Sequence, residues 1–387
     1  MENLLLLLNS KLIDANKHVE VFNQFKKLHT YEEYIKFSLC LMYEYEIIPK
    51  CNLMRKDAKA SEKMRDHGNR IFTDPLINEN KFLEAYKKYT IAIALAPHFS
   101  RQLALAYANR SAVLFQLKKF QDCIQDINRA LSMDYPNDIK GKLFLRKSEC
   151  LIKLGHEPIK EELDEATKYL DRLPDDNANK GKLESNLKLM REGKITKLIE
   201  KLGDRERMQE LPKIEKPNEE APCVSDAVAI KYNENYGRHI VAARKILPGE
   251  ILLVEKPYST LLCNDYSYTH CSNCMNIVWA SIPCENCTHV VYCSEECKNL
   301  HWKKYHDFEC TIVSIIKDSM LMVDLFSLRL AVQSIKEVSN WRELKAEVNE
   351  VDNWQGIIIL SLSQFEKTNG RIILTMAIFR PENKRIL

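Results

Sequence analysis

The sequence predicts a multidomain, mainly α protein carrying one small module held together by metal. Three observations predict it. Only 10 glycines occur among 387 residues, too few for a turn-rich β protein of this size. Apolar residues recur at helical spacing through the first half, in paired segments of similar length. Seven of the 13 cysteines crowd into residues 271–310, a density that calls for a metal ion rather than ordinary core packing.

Composition narrows the class. Apolar content of 45% and charged content of 29% are ordinary for soluble domains with sizeable cores, and the length favours two or three folded units. A net charge of +3 is too small to imply nucleic-acid binding. The opening MENLLLLLNSKLID has five consecutive leucines but no basic region before them and no cleavage-like site. No run of 18 apolar residues follows. The expectation is a chain neither secreted nor membrane-spanning, cytoplasmic and nuclear, with thiols kept reduced. Cys40, Cys51, Cys123, Cys150, Cys223 and Cys263 are scattered singles, expected to pack as small apolar side chains.

Residues 1–55 read as a helical cap, from the spacing of Phe22, Phe25, Leu28, Tyr31, Tyr34 and Phe37. Residues 56–172 then repeat a two-helix unit, with small residues where helices cross and a proline near each end. The period is near 34 residues, with an insertion around Thr73–Asn80. Residues 173–222 are charged, helical at first and then rich in Pro, Glu and Lys, which reads as a last helix running into a linker. Residues 223–263 change period to short alternating runs separated by Asn-Glu-Asn, Gly237 and Pro248-Gly249, the pattern of β-strands and turns. Residues 311–345 return to helix, with Ile315, Leu321, Val323, Leu325, Leu328, Leu330 and Val332 on one apolar face.

The cysteine cluster at 270–310 has regular spacing. It reads C-x2-C, nine residues, C-x2-C, five residues, C-x3-C, eight residues, H-x3-C. A C-x2-C turn presents two thiolates to one tetrahedral ion, with Zn–S distances of about 2.3 Å. C-x3-C and H-x3-C place their ligands at i and i+4, on one face of a short helix, and Ser294 is positioned to cap such a helix. His270, His289 and His301 compete with His306 as the eighth ligand. His306 is preferred because its spacing to Cys310 suits one helix face. Eight ligands make two closed four-coordinate sites, which are structural rather than catalytic. The binding free energy would supply much of the folding free energy of so short a segment. Spacing alone leaves open whether the four pairs combine consecutively or interleave.

This pattern, with Tyr292 and Trp302, resembles the MYND zinc finger. The resemblance implies interleaving: Cys271, Cys274, Cys293 and Cys297 on one zinc, and Cys284, Cys287, His306 and Cys310 on the other. The two-helix units resemble tetratricopeptide (TPR) repeats. Gly68, Ala85, Tyr89, Ala92 and Pro97 match in the first unit; Ala108, Leu117, Phe120, Ala130 and Pro136 match in the second. A weaker third unit has Leu154, Gly155 and Ala166. Stacked units of this type form a concave surface for an extended peptide. Arg65, Asn69, Asn109, Lys142 and Arg146 fall at the positions where chaperone-binding TPR domains hold a peptide's terminal carboxylates. The implied partner is an acidic C-terminus such as that of an Hsp90- or Hsp70-type chaperone. Arg and Lys with Asn donors suit carboxylates chemically.

From Gly237 the chain reads G-R-x-I-x-A-x-x-x-I-x-x-G-E-x-L-x-x-E-x-P, which is similar to the opening of a SET domain. A SET domain interrupted by a MYND finger identifies the SET and MYND domain-containing protein-lysine methyltransferases. The resemblance implies S-adenosylmethionine bound against the loop at Gly237, Arg238 and His239, although the family's second glycine is replaced by His239. The family's Asn-His segment is absent and no cysteine follows Cys310. The expectation is therefore a partial SET domain, with 311–387 as a helical SET insert and the catalytic half lying beyond the chain. Two readings follow: a lysine methyltransferase, or a non-catalytic scaffold in which the groove takes acidic tails and the finger takes proline-containing corepressor or deacetylase-complex peptides. Nucleic-acid binding through Lys298, Lys303 and Lys304 is disfavoured by Glu295, Glu296 and Asp307 beside them.

Overall fold

A computed structural model describes residues 2–47, 55–75, 79–156, 160–174, 180–195, 212–219, 221–319, 322–338, 342–343 and 345–346. Residue 351 onward, and with it much of the expected helical insert, lies outside the described residues. The chain divides into two compact units, Met1–Leu53 with Thr311–Leu325, and Met54–Cys310 with Phe326–Leu387.

The first unit holds α1 (Glu2–Asp14), α2 (His18–Phe25) and α3 (Tyr31–Glu44). The start of α3 is fixed by Thr30: its hydroxyl accepts from the Glu33 amide while the Glu33 carboxylate accepts from the Thr30 amide. This reciprocal cap satisfies two donors that a helix start otherwise leaves orphaned. Leu12, Leu41 and Ile47 are buried, and Phe25 packs its ring 4.9 Å from that of Tyr34. The sequence's reading of a helical N-terminal region is reproduced.

The second unit begins with three helix pairs. They are α4 (Ala58–Thr73) on α5 (Glu79–Leu95), α6 (Arg101–Gln116) on α7 (Phe120–Leu131), and α8 (Lys140–Lys153) on α9 (Lys160–Leu170). Small residues set the spacing. Gly68 on α4 lies so close to α5 that an added Cβ would meet the Tyr89 ring at 2.7 Å. Ala85, Ala92, Ala104, Ala108 and Ala130 are all buried along the crossings, where short side chains let backbones approach. Asp57 and Ser100 cap α4 and α6 by accepting amide hydrogen bonds. Gly155 follows α8 at φ +87°, the left-handed conformation that ends helices at low steric cost. A further helix, α10 (Lys180–Arg191), packs Leu187 and Met190 on the last pair. Among the described residues no helix is long and apolar enough to cross a membrane.

Beyond the helices, β1 (Val228–Asn233) and β2 (Gly237–Ala242) form an antiparallel hairpin. Here the expected succession of strands contracts. Among the described residues only this hairpin forms full strands, with single bridges at Pro217–Ser225 and Val224–Leu253. Alternation in the sequence marks a segment's capacity to pair, but strand structure also requires a neighbour to supply hydrogen bonds. The finger follows. It contains the short pair β3 (Ile282–Pro283) and β4 (Val291–Tyr292), α11 (Glu295–His301), and a single π turn at Trp302–His306 leading into α12 (Asp307–Ser319). Finally α13 (Met322–Glu337) returns. Its Arg329 makes a two-pronged pair with Glu309, 2.7 and 2.8 Å, with both side chains buried.

Candidate metal centres

The finger is built from turns that aim sulfur atoms inward. At the first C-x2-C, the Met275 amide donates to the Cys271 carbonyl and the Cys271 amide donates to the Asn276 carbonyl. This tight loop places Cys271 and Cys274 side by side, with Met275 at φ 60°. Ser294 caps α11 by accepting from the Cys297 amide at 3.2 Å. The cap also shows where the local reading needs correction. Cys293 precedes Ser294 and lies outside the helix, so Cys293 and Cys297 are joined by a cap rather than by one helix face. Likewise His306 ends a π turn and Cys310 lies in α12. The wider turn re-phases the backbone between α11 and α12.

The eight expected ligands gather into two groups of four. Ligand atoms of Cys271, Cys274, Cys293 and Cys297 lie within 4.8 Å of one another, and so do those of Cys284, Cys287, His306 and Cys310. The chain therefore brings the pairs together in interleaved order. Zinc fits these dimensions. Two sulfurs at 2.3 Å from a tetrahedral ion are about 3.8 Å apart, and a sulfur and an imidazole nitrogen about 3.6 Å. Cys274 and Cys293 sulfurs are 3.8 Å apart, as are those of Cys284 and Cys310, and the Cys287 sulfur is 3.6 Å from His306 Nε2.

Protonation points the same way. Hydrogen bonding from the Cys271 thiol holds Cys274 down to about 4. In the second quartet the Cys287 thiol holds Cys284 low, and Cys287 itself is pushed far above the usual thiol range. Seven sulfurs so crowded cannot all ionise without a cation, and a divalent metal removes that obstacle. Supporting donors surround them: Asn273 Nδ2 reaches the Cys297 sulfur at 3.4 Å and the Asn286 amide reaches Cys284 at 3.5 Å.

Of the rival histidines, none joins either quartet. His301 is fully buried, its Nδ1 lies 2.9 Å from the Tyr292 hydroxyl, and its ring stacks on His306 at 4.9 Å. Burial drives its pKa far down, so it stays neutral as a support for the ligand ring. Tyr292, singled out in the sequence as a motif aromatic, is its partner.

The finger is seated on the helix pairs. Arg110 on α6 and Asp126 on α7 are both fully buried. They pair through Nε at 2.7 Å and through a second nitrogen at 2.9 Å. The same guanidinium donates to the Ser281 carbonyl at 2.7 Å and the Ser281 hydroxyl at 2.9 Å. Arg129 donates to the Ala280 carbonyl at 2.7 Å, and Tyr86 to the Val278 carbonyl at 2.5 Å. The Trp279 ring lies 5.2 Å from Tyr86 with the Lys119 ammonium over its face. Burial disfavours the Arg110 charge, but the Asp126 carboxylate more than offsets this, and its pKa rises. Sequence reasoning missed this seat, because an Arg and an Asp on separate helices carry no local signal of pairing.

The basic and amide residues partly converge. Asn69 Oδ1 accepts from Asn109 Nδ2 at 2.7 Å and from the Tyr89 hydroxyl at 2.8 Å. Arg65 is half-buried beside Asp66 at 3.3 Å, and its Nε is buried with no partner. Arg146 donates to the Ala108 carbonyl and the Ser111 hydroxyl, and Lys142 is half-buried one turn earlier on α8. Tyr89, matched in the sequence as a repeat residue, is thus also part of the cluster. Gly237, Arg238 and His239 form the start of β2, opposite Asn233, Tyr232 and Lys231, rather than a loop.

Two interleaved Cys/His quartets make a cross-braced two-zinc module, and the MYND finger family matches residues 271–310. The wider chain is similar to proteins named Protein-lysine N-methyltransferase SMYD4. That of Gallus gallus is 32% identical over 294 residues, covering 67% of this chain and 38% of the relative. That of Homo sapiens is 28% identical over 298 residues, covering 70% of this chain and 36% of the relative. These matches support the resemblance to the SET and MYND domain-containing proteins, and to SMYD4 among them. The aligned part spans little more than a third of these relatives' length. DnaJ homolog subfamily C member 7 of Homo sapiens is 32% identical over 95 residues, 24% of this chain and 18% of that protein. No solved structure matches.

Proposed function

We propose that this chain is the zinc-finger and peptide-docking portion of an S-adenosylmethionine-dependent protein-lysine N-methyltransferase of the SET and MYND type, acting on histone or non-histone proteins in cytoplasm and nucleus. The observation that carries it is the coincidence of two zinc-sized quartets with relatives named as lysine methyltransferases along about two thirds of the chain. Residues 56–172 are read as TPR repeats, 223–263 as the first part of a SET domain and 270–310 as the finger. The two zinc ions are structural, held by the eight residues above. Gly237, Arg238 and His239, beside the turn of the β1–β2 hairpin, are the part of the chain assigned to S-adenosylmethionine, which supplies the methyl group when bound. Transfer needs a neutral lysine amine aligned with that methyl, so the protein's work is positioning and lowering the amine pKa by desolvation. Calorimetric titration of the chain with S-adenosylmethionine tests the cofactor assignment. Binding that is lost in His239→Asp supports it, and no heat with any preparation removes that assignment from this chain.

A second reading has a specific observation behind it. Arg65, Asn69, Asn109, Lys142 and Arg146 lie on the first helices of successive pairs, and Asn69 and Asn109 touch. Combined with the similarity to DnaJ homolog subfamily C member 7 over 95 residues, this supports a scaffold that docks an acidic C-terminus, such as a chaperone's, whether or not the chain takes part in catalysis. The finger would take a second, proline-containing peptide. Lys142→Ala is the cleaner test, because Arg146 also braces α6. Loss of binding to a peptide with a free acidic C-terminus is expected, and unchanged affinity rejects the cluster as the docking site.

A further inference from the structure

Helices α5 and α6 each touch both the finger and the amide cluster. On α5, Tyr86 donates to the Val278 carbonyl of the finger, and Tyr89, three residues on, donates to Asn69 Oδ1 in the cluster. On α6, Arg110 holds Ser281 of the finger, while its neighbour Asn109 donates to the same Asn69 oxygen. Both helices are packed along their length, with Ala85, Tyr86, Tyr89, Ala106, Tyr107 and Val113 buried in one core. Close-packed interiors transmit displacement rather than absorbing it.

We propose that zinc occupancy of the finger and binding of an acidic peptide at the Asn69–Asn109 cluster are thermodynamically linked through α5 and α6. The proposal rests on the docking reading given above. Two states define the linkage. With metal, the finger is folded and residues 278–281 fill the seat. Without metal, a segment this short and this dependent on its ligands loses its fold. Tyr86, Arg110 and Arg129 then lose the Val278, Ala280 and Ser281 acceptors. Arg110 keeps Asp126 and Thr90 but loses both Ser281 acceptors. Leaving those donors poorly solvated is costly, and in the proposed linkage α6 shifts to relieve this and carries Asn109 with it. The cluster that receives carboxylates is therefore arranged for binding only when the finger is seated. Linkage requires the reverse effect to be equal: peptide binding must tighten zinc.

That reverse effect is measurable on the intact chain, without a metal-free sample. A chromophoric chelator competes for zinc from the 387-residue protein with and without a saturating peptide that ends in acidic residues and a free carboxylate. An amidated version of the peptide serves as control. The expected result is at least about a fivefold shift toward retained zinc, the lower end of typical coupling, with the free peptide only. Tyr86→Phe, which removes one hydroxyl from the seat, is expected to shrink the shift. Calorimetry on the same zinc-loaded protein reports peptide affinity independently. Peptide that binds but leaves the zinc competition unmoved overturns the linkage and leaves the docking reading intact. Peptide that does not bind the zinc-loaded chain overturns both.

Discussion

Arg110 and Asp126 form an ion pair with no exposure to solvent, and the guanidinium's other donors reach Ser281 of the finger and Thr90 on α5. A buried pair of this kind adds little stability over a well-packed apolar substitute, yet breaking it from one side is costly. Its geometry instead makes seating selective: only backbone carbonyls and a hydroxyl at the right places complete it.

The first prediction follows from that pair. Asp126→Asn leaves the Arg110 charge buried without its carboxylate and is expected to destabilise the chain by about 3–5 kcal/mol. Arg110→Met is expected to cost less, because Arg129 still reaches Asp126 at 3.1 Å. The double substitution Arg110→Met with Asp126→Leu should recover much of that loss while still unseating Ser281. Urea titrations followed by circular dichroism measure the stability. Finger seating is read from quenching of Trp279, compared with a Trp279→Phe control.

Metal content is the second prediction. Elemental analysis should give two zinc ions per chain, and Cys284→Ser should lower this toward one while leaving Cys271, Cys274, Cys293 and Cys297 loaded. Acidification should release metal from both quartets, because protons compete for the thiolates and for His306. Equal loss from both sites in Cys284→Ser would contradict independent quartets.

Alkaline pH gives the third. Burial pushes the Tyr86, Tyr107, Tyr135 and Tyr268 hydroxyls up to about 12 from the ordinary 10.0. The folded state therefore keeps protons that the unfolded chain releases. Stability from this source is fully present below pH 10 and declines as the pH rises through about 12. Phenolate absorbance should rise together with loss of helical circular dichroism, and Tyr86→Phe should make the decline shallower.

The fourth concerns Gly68. An added methyl would meet the Tyr89 ring at 2.7 Å, and overpacking of this kind costs about 1–3 kcal/mol. Gly68→Ala is expected to lower the melting temperature and, by displacing Tyr89 from Asn69, to weaken acidic-peptide binding. The control Gly181→Ala, where an added Cβ meets nothing within 4 Å, should be neutral or stabilising.

What the sequence revealed and what it concealed divides along chain distance. The ligand quartets rest on pairs three or four residues apart, and Gly68, Tyr89 and the alanines of α5 and α6 carry a helical repeat that local spacing exposes. The interleaved order came from resemblance, and only the fold brings Cys271 and Cys293 to the same centre. The seat of the finger was hidden, because Arg110 meets Ser281 across 171 residues and Tyr86 meets Val278 across 192. Nothing in a run of helix-compatible residues reports which Arg turns inward. The β-rich segment was read too generously for the opposite reason. Its alternation is real, but among the described residues only β1 and β2 make full strands there, and the rest of the pairing is reduced to single bridges.

The order in which the chain is made gives the seat one more consequence. Arg110 and Asp126 leave the ribosome long before Ser281, 171 positions behind Arg110. At 5–20 residues per second that interval is on the order of 10–30 s, far longer than helices need to form and pack. During it the guanidinium keeps Asp126 and Thr90 as acceptors, and water stands in for those of Ser281. The finger thus arrives last, and its docking must strip water from a charge already in place.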